Sequence, residues 1–170
     1  EAIAFHSKGH EYAAWNPKAL ISTGLSYAIA NRGACHLASH FTCRQNRMAF
    51  LDSTGGCYFS MQLVDDRIVS RLLTAVVGRD YNLDEIERIG NRIITLERQF
   101  NVVEGFSRRD DEHLPAALVS EPIPGREGRP PAAFDLEMFQ QTLTAYYESR
   151  GWTPDRGAPT RSTLTGLGLD

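Results

Sequence analysis

The stretch from Asn82 to Phe100 limits what this chain can fold into more than any other. Ile86, Ile89, Ile93, Leu96 and Phe100 recur at three- and four-residue steps, the spacing of one face of an α-helix and not the two-residue alternation of a strand. Asn82 stands before the run as an N-cap, and Asp84 and Glu85 in the first turn meet the positive end of the helix dipole. A helix with an apolar stripe must bury that stripe against other elements, so the chain has to be built on helix packing.

Further helix signals agree. Asn16-Pro17 reads as a cap followed by proline at the first helical position, and predicts a helix to about Asn31 with Leu20, Thr23, Tyr27 and Ala30 on one face. Its many small residues (Ala19, Gly24, Ser26, Ala28, Ala30) let another element approach closely. Residues 43–51 have helical tendency, 52–57 read as a glycine turn, and 60–77 are helical in pattern. Residues 105–134 read as a loop rich in Pro and Gly. Asp135 then caps a helix carrying Met138, Phe139, Leu143, Tyr146 and Tyr147, which Gly151 stops, and the tail is a loop with a short turn from Thr160. Residues 2–15 alternate loosely around Lys8-Gly9, as a hairpin or one irregular strand. The expected fold is mainly α: a multi-helix domain spanning residues 1–170 with a short irregular β segment at the N-terminus.

Composition narrows the function classes. A net charge of −3 argues against nucleic acid as a partner, and no run of about 18 apolar residues is present to span a membrane. Cys35, Cys43 and Cys57 are odd in number and irregularly spaced, which fits a reducing cytoplasm better than a disulfide framework. With no Cys-x-x-Cys pair, they cannot complete a metal site alone. The start at Glu1, without Met and inside a strand-like stretch, reads as a fragment or a processed chain.

Two segments carry the residue types for chemistry. In Asn31-Arg32-Gly33-Ala34-Cys35-His36-Leu37, an imidazole follows a glycine turn at a helix end, suited to acid/base work or to bonding an oxo group. In Asp52-Ser53-Thr54-Gly55-Gly56-Cys57, a carboxylate able to accept two hydrogen bonds from an amidine-like ring edge precedes a thiol able to bind a soft metal. Both also have ordinary uses: His36 as a surface or capping residue, Asp52 as the opener of a turn before a helix. His6, His10, His40 and His113 show no ligand-like spacing, and Cys35 and Cys43 suit buried apolar positions.

These segments belong to a longer ordered series. Gly24-Leu25-Ser26-Tyr27-Ala28 runs into Asn31–Leu37, and Asp52–Cys57 follows. Then come Ile89–Ile93, Leu96–Asn101, Asp110–Pro115, Glu121-Pro122, Tyr146–Trp152 and Leu164–Leu169. In this order they resemble the aldehyde:ferredoxin oxidoreductase family, over nearly the whole chain. The resemblance implies the C-terminal helical part of an enzyme that oxidises aldehydes to carboxylates and passes electrons to ferredoxin or a similar carrier. It implies a tungsten (or molybdenum) bis-pterin beside a 4Fe–4S cluster, both shared with segments outside these residues: a pterin-binding β domain and a three-cysteine motif. Carried over by position, Cys57 is the last cluster thiolate, and Asp52 bonds a pterin with backbone groups of Gly56 and Cys57 helping. His36 lies near the metal as the catalytic, proton-handling residue. The implied partners are the N-terminal portion of the same enzyme, the electron carrier and the aldehyde, with a homodimer left open. The fragment alone is expected to be inactive and to hold neither cofactor.

Three differences from the family pattern motivate a second reading. Gly56 stands where leucine is usual, Ala38 where a basic residue is usual, and only 20 residues separate His36 from Cys57, a shortened connection. On that reading the chain is a truncated or degenerate member acting as a cofactor-free helical interaction module.

Overall fold

The computed structural model describes residues 5–12, 15–35, 37, 44–61, 63–125, 127–128 and 130–170. Of the residues singled out above, His36, Ala38, His40 and Cys43 lie outside that set.

The N-terminal segment is a hairpin. Lys8 and Gly9 have φ of 51° and 80°, the left-handed pair that a two-residue hairpin loop requires. They join β1 (His6–Ser7) to antiparallel β2 (His10–Glu11), with Ser7 opposite His10. Asn16 caps as expected, its Oδ1 accepting from the Lys18 amide at 3.0 Å, but it opens only a 3-10 turn, Pro17–Ala19. Leu20 is extended and largely exposed, and α1 (Ile21–Ile29) starts after it. The helix expected from Asn16 is therefore broken near its start. Beyond the break, Gly24 through Ile29 are all buried, so Leu20 and Thr23 do not share one core stripe with Tyr27. The small residues act as anticipated: a Cβ on Gly24 would stand 2.8 Å from the Phe134 ring.

Helix α2 (Gln45–Ser53) carries Asp52 in its last turn, so the turn proper is Thr54-Gly55, with Gly55 at φ 75°. The stretch expected as one helix over 60–77 is two: α3 (Tyr58–Met61) and α4 (Asp66–Val77). Asp65 divides them by capping α4, its carboxylate accepting from the Arg67 amide at 2.8 Å. The long helix α5 (Leu83–Val103) is capped by Asn82, which accepts from the Glu85 amide at 2.8 Å.

The buried face of α5 departs from the expected stripe. Ile86, Gly90, Ile94, Thr95 and Arg98 are buried, while Leu96 and Phe100 are exposed. Hydrophobic spacing misses this face because two of its members make their contacts without apolar bulk. Gly90 lets α2 cross so closely that a Cβ there would lie 2.0 Å from the Asn46 carbonyl oxygen. Arg98 is buried because its charge is paired inside the fold.

The expected loop 105–134 contains α6 (Arg108–Asp111), opened by a Ser107/Asp110 capping box, and α7 (Ala116–Ser120). An antiparallel bridge pairs Ile123 with Ala132. Asp135 caps α8 (Leu136–Ser149), Gly151 at φ 67° follows its end, and Thr160 caps α9 (Arg161–Leu167). The protein is mainly α with a small N-terminal hairpin, and no described helix is long and apolar enough to cross a membrane.

Two apolar clusters hold the described residues together. One joins Leu25 and Ile29 of α1 to Phe139, Leu143 and Tyr147 of α8, with Trp152. The other sits between α2, α4 and α5, around Met48, Leu51, Val69 and Ile86. A polar seam links α2 to α8: buried Gln45 accepts from the Tyr146 hydroxyl at 2.7 Å and from Arg150 at 2.6 Å.

Candidate functional site

Folding brings parts of the two chemically promising segments onto one cleft. Asn31 and Arg32, from the turn after α1, line a cavity of about 60 Å³ together with Gln45 and Asp52 of α2 and Glu97 of α5. The turn is fastened to α5 by two asparagines. Asn31 Nδ2 donates to the Ile94 carbonyl at 3.2 Å and to Glu97 at 3.0 Å, and Asn101 Nδ2 donates to the Asn31 carbonyl at 2.7 Å. With its amide nitrogen committed, Asn31 Oδ1 is buried and receives no donor. Arg32 donates to the Cys35 sulfur, three residues on, at 3.1 Å. That hydrogen bond, with smaller help from Asp52 and Glu97, holds the guanidinium pKa above its ordinary value. Gly33, at φ 83°, packs its bare Cα on the His10 ring, where a Cβ would come within 2.4 Å.

Cys57 lies just before α3 and is exposed. The Ser60 amide first, then that of Phe59, lowers its thiol pKa, because N–H groups aimed at the sulfur favour the thiolate. Gly56 donates to Thr54 Oγ1 at 3.3 Å, and a Cβ on it would meet Met61 Cγ at 2.7 Å. Met61 thus fills the space beside the turn that a larger residue at position 56 would claim.

The donors present suit one edge of a cofactor site. An exposed thiol biased toward thiolate fits a soft metal ligand. The Asp52 carboxylate is an acceptor on this cleft, as an N–H-rich ring edge needs. Among the described residues no group of three or more His, Cys, Asp or Glu could hold a metal ion, so further ligands would have to come from elsewhere. A larger polar cleft of about 500 Å³, lined by Asn46, Glu87, Asn91 and Arg150, contains none of these candidate residues.

Sequence reasoning missed a buried charge cluster. Asp111 of α6, fully buried, pairs with Lys8 of the hairpin loop at 2.5 Å and with Arg98 of α5 at 2.8 Å, and accepts from the Tyr147 hydroxyl. Arg98 also donates to the Gly157 carbonyl at 2.8 Å and lies over the Tyr147 and Trp152 rings. Lys8 donates to the carbonyls of Ala28 and Ala30, closing the end of α1 just before Asn31. Burial pulls the Lys8 pKa down, and Asp111 opposes that. No local pattern announces such a cluster. The only sequence signal was that Arg98 and Asp111 fall in family-like stretches to which no role was attached.

Comparison with known proteins gives a consistent result. The family described as aldehyde ferredoxin oxidoreductase, domains 2 & 3, matches residues 1–169. The tungsten-containing aldehyde ferredoxin oxidoreductase of Pyrococcus horikoshii is 29% identical over 188 residues, covering 96% of this chain and 30% of its own length. That of Pyrococcus furiosus is 29% identical over 184 residues, covering 94% of this chain and again 30% of its own. The chain thus spans about 30% of the length of these curated relatives. Among solved structures, the active site complex BamBC of benzoyl coenzyme A reductase with 1,5-dienoyl-CoA matches at 29% identity and a TM-score of 0.47. That match covers 59% of this chain and 13% of the other.

Proposed function

Because the chain belongs to the aldehyde ferredoxin oxidoreductase family, we propose that it forms one wall of an oxidoreductase site completed by the remainder of the enzyme. The relatives' names carry tungsten and ferredoxin, and the reading takes both. A tungsten (or molybdenum) bis-pterin with a 4Fe–4S cluster would, when bound, supply the two-electron oxidation of an aldehyde and water to a carboxylate, with the electrons leaving for ferredoxin.

In that arrangement Cys57 gives one of four cluster thiolates, eased into the thiolate form by the Ser60 and Phe59 amides. Asp52 accepts from the amino-pyrimidine edge of a pterin. Gly56 contributes backbone at the same turn. Arg32 places a cation on this cleft, near the carboxylates. His36, outside the described residues, is proposed from its sequence position to hold or move a proton near the metal. The observation that carries the reading is the meeting of Asn31 and Arg32 with Asp52 on one cleft, five residues before an exposed, thiolate-prone cysteine.

The test is production with the remaining portion of the enzyme under anaerobic conditions, followed by metal analysis, EPR of the reduced protein and aldehyde-dependent viologen reduction. Cys57→Ser should remove the cluster signal, and His36→Ala should slow turnover with cofactors retained. A loaded enzyme whose cluster signal is indifferent to Cys57→Ser would overturn the assignment. Gly56, with Met61 filling the space beside it, favours the second reading, a cofactor-free interaction module. Absence of iron and tungsten from the assembled protein would select it.

A further inference from the structure

Lys8 stands where a two-residue hairpin loop favours Gly, Asn or Asp. Its φ of 51° lies in the left-handed region, and among the described residues no other non-glycine enters it. Strain of this kind persists where a surrounding contact requires it. Here the contact is made by the side chain, which turns inward and is only 4% exposed. Its ammonium pairs with Asp111 at 2.5 Å and donates to the carbonyls of Ala28 and Ala30, the second at 3.3 Å. Helix α1 has no basic residue in its last turn and ends on Ala30. Lys8 therefore caps, from another element, carbonyls that α1 leaves open. A second contact from the same hairpin meets the chain just beyond. The exposed His10 of β2 sets its ring against buried Gly33, where a Cβ would come within 2.4 Å. The two contacts bracket Asn31 and Arg32.

We infer that Lys8 and His10 are positioning residues for the candidate site: they fix the turn from Asn31 to Gly33, and so hold Arg32 on the cleft that Asp52 borders. The inference rests on the reading of that cleft as one edge of a cofactor site. Neither Lys8 nor His10 lines the cleft. They act through the last carbonyls of α1 and through Gly33, one on each side of Arg32. Asp111 is the anchor. Arg98 at 2.8 Å and the Tyr147 hydroxyl hold its carboxylate, so the Lys8 ammonium has one place to sit. Arg32 is exposed and its side chain is long, so its backbone is the part that the fold can fix. On the far side Asn101 holds the Asn31 carbonyl at 2.7 Å, which ties the same turn to α5. The turn is thus gripped between hairpin and helix. A shift of about 1 Å in a group that orients a bound molecule can slow a reaction about a hundredfold, which is what such a grip prevents.

The experiment uses this chain assembled anaerobically with the remaining portion of the enzyme, and the variants are His10→Ala and Lys8→Met. His10 is exposed, and Lys8→Met leaves Arg98 and Asp111 as a neutral pair, so circular dichroism of both should match the parent. Leu167→Ala, a core truncation in α9, is the control for a general loss of stability. Hydrogen exchange at residues 31–35 should quicken roughly tenfold in both variants. Pterin content should fall and the EPR signal of the pterin-bound metal should broaden, while Leu167→Ala keeps the parent's signal. Exchange that neither substitution quickens overturns the inference. So does quickened exchange with the parent's pterin content and metal signal, or a control that alters the signal as much as the variants do. If Lys8→Met does not fold, His10→Ala decides by the same measurements. An assembled parent that binds no pterin defeats the cofactor reading, and this role for the hairpin with it. A loaded parent whose signal and pterin content the variants keep defeats the hairpin's role alone.

Discussion

Replacing Asp111 with asparagine removes one charge from the least accessible place in the fold. The Asp111 and Arg98 side chains are 0% and 1% exposed, and that of Lys8 is 4% exposed. The native cluster holds two cations and one anion, so Asp111→Asn strands Lys8 and Arg98 beside each other with no counter-charge. An uncompensated buried charge of this kind costs about 3–5 kcal/mol. For a chain of this size each kcal/mol lowers the melting temperature by roughly 2–4 °C, so the expected drop is about 6–20 °C. The measurements are thermal unfolding for the melting temperature and urea unfolding for the free energy, both followed by far-ultraviolet circular dichroism at pH 7. A second arm checks the cause. Without Asp111 the folded-state pKa of Lys8, already lowered by burial, falls further below its unfolded value. The unfolded chain then binds the extra proton in the window between the two, and stability in that window rises with pH. The deficit of the variant should therefore shrink from pH 7 toward pH 10. Adding Lys8→Met to Asp111→Asn should recover part of the loss, because one stranded cation is gone. A deficit below about 1 kcal/mol, or one unchanged across that pH range, would refute the assignment of stability to this cluster.

Three further outcomes follow from single contacts. Gly90→Ala gains about 1 kcal/mol of helix propensity but drives a methyl into the Asn46 backbone, so a net loss of about 2 kcal/mol is expected in urea unfolding; a variant as stable as the parent would show that α2 and α5 do not cross there. Burial raises the phenol pKa values of Tyr12, Tyr146 and Tyr147, so the stability they lend is present below the unfolded value near 10 and is lost as pH rises past it. Once Lys8 is deprotonated in both states the loss should approach about 4 kcal/mol per pH unit, with absorbance at 295 nm showing these phenols ionising only on unfolding; ionisation in the native protein near pH 10 would count against it. Cys57 should react with iodoacetamide with a pH midpoint below the ordinary 9.0, and a midpoint at or above it would remove the proposed role of the Ser60 and Phe59 amides.

Much of the local architecture was legible in the residues. The caps at Asn16, Asn82 and Asp135 act within a few positions of themselves, and so does Gly151, so their chemistry is complete in a short window. The division of 60–77 was available in principle, since Asp65 precedes α4 as a side-chain cap, but the apolar pattern concealed it. Of the candidate site, Asp52, Gly56 and Cys57 were named from residue type and resemblance. Their setting was not legible. Asp52 ends a helix where it was expected to open a turn, and the orphaned Asn31 oxygen depends on partners in α5.

The sequence by itself determined that this is a helical protein of a recognisable family, because periodicity, caps and ordered motifs are properties of neighbours along the chain. Tertiary structure alone decided which face of α5 is buried, that Lys8, Arg98 and Asp111 share one charge cluster, and that Arg32 and Asp52 border one cleft. The physical reason is distance along the chain. A glycine becomes a helix crossing, and an arginine becomes a core residue, only when remote elements arrive to make the contact or pair the charge.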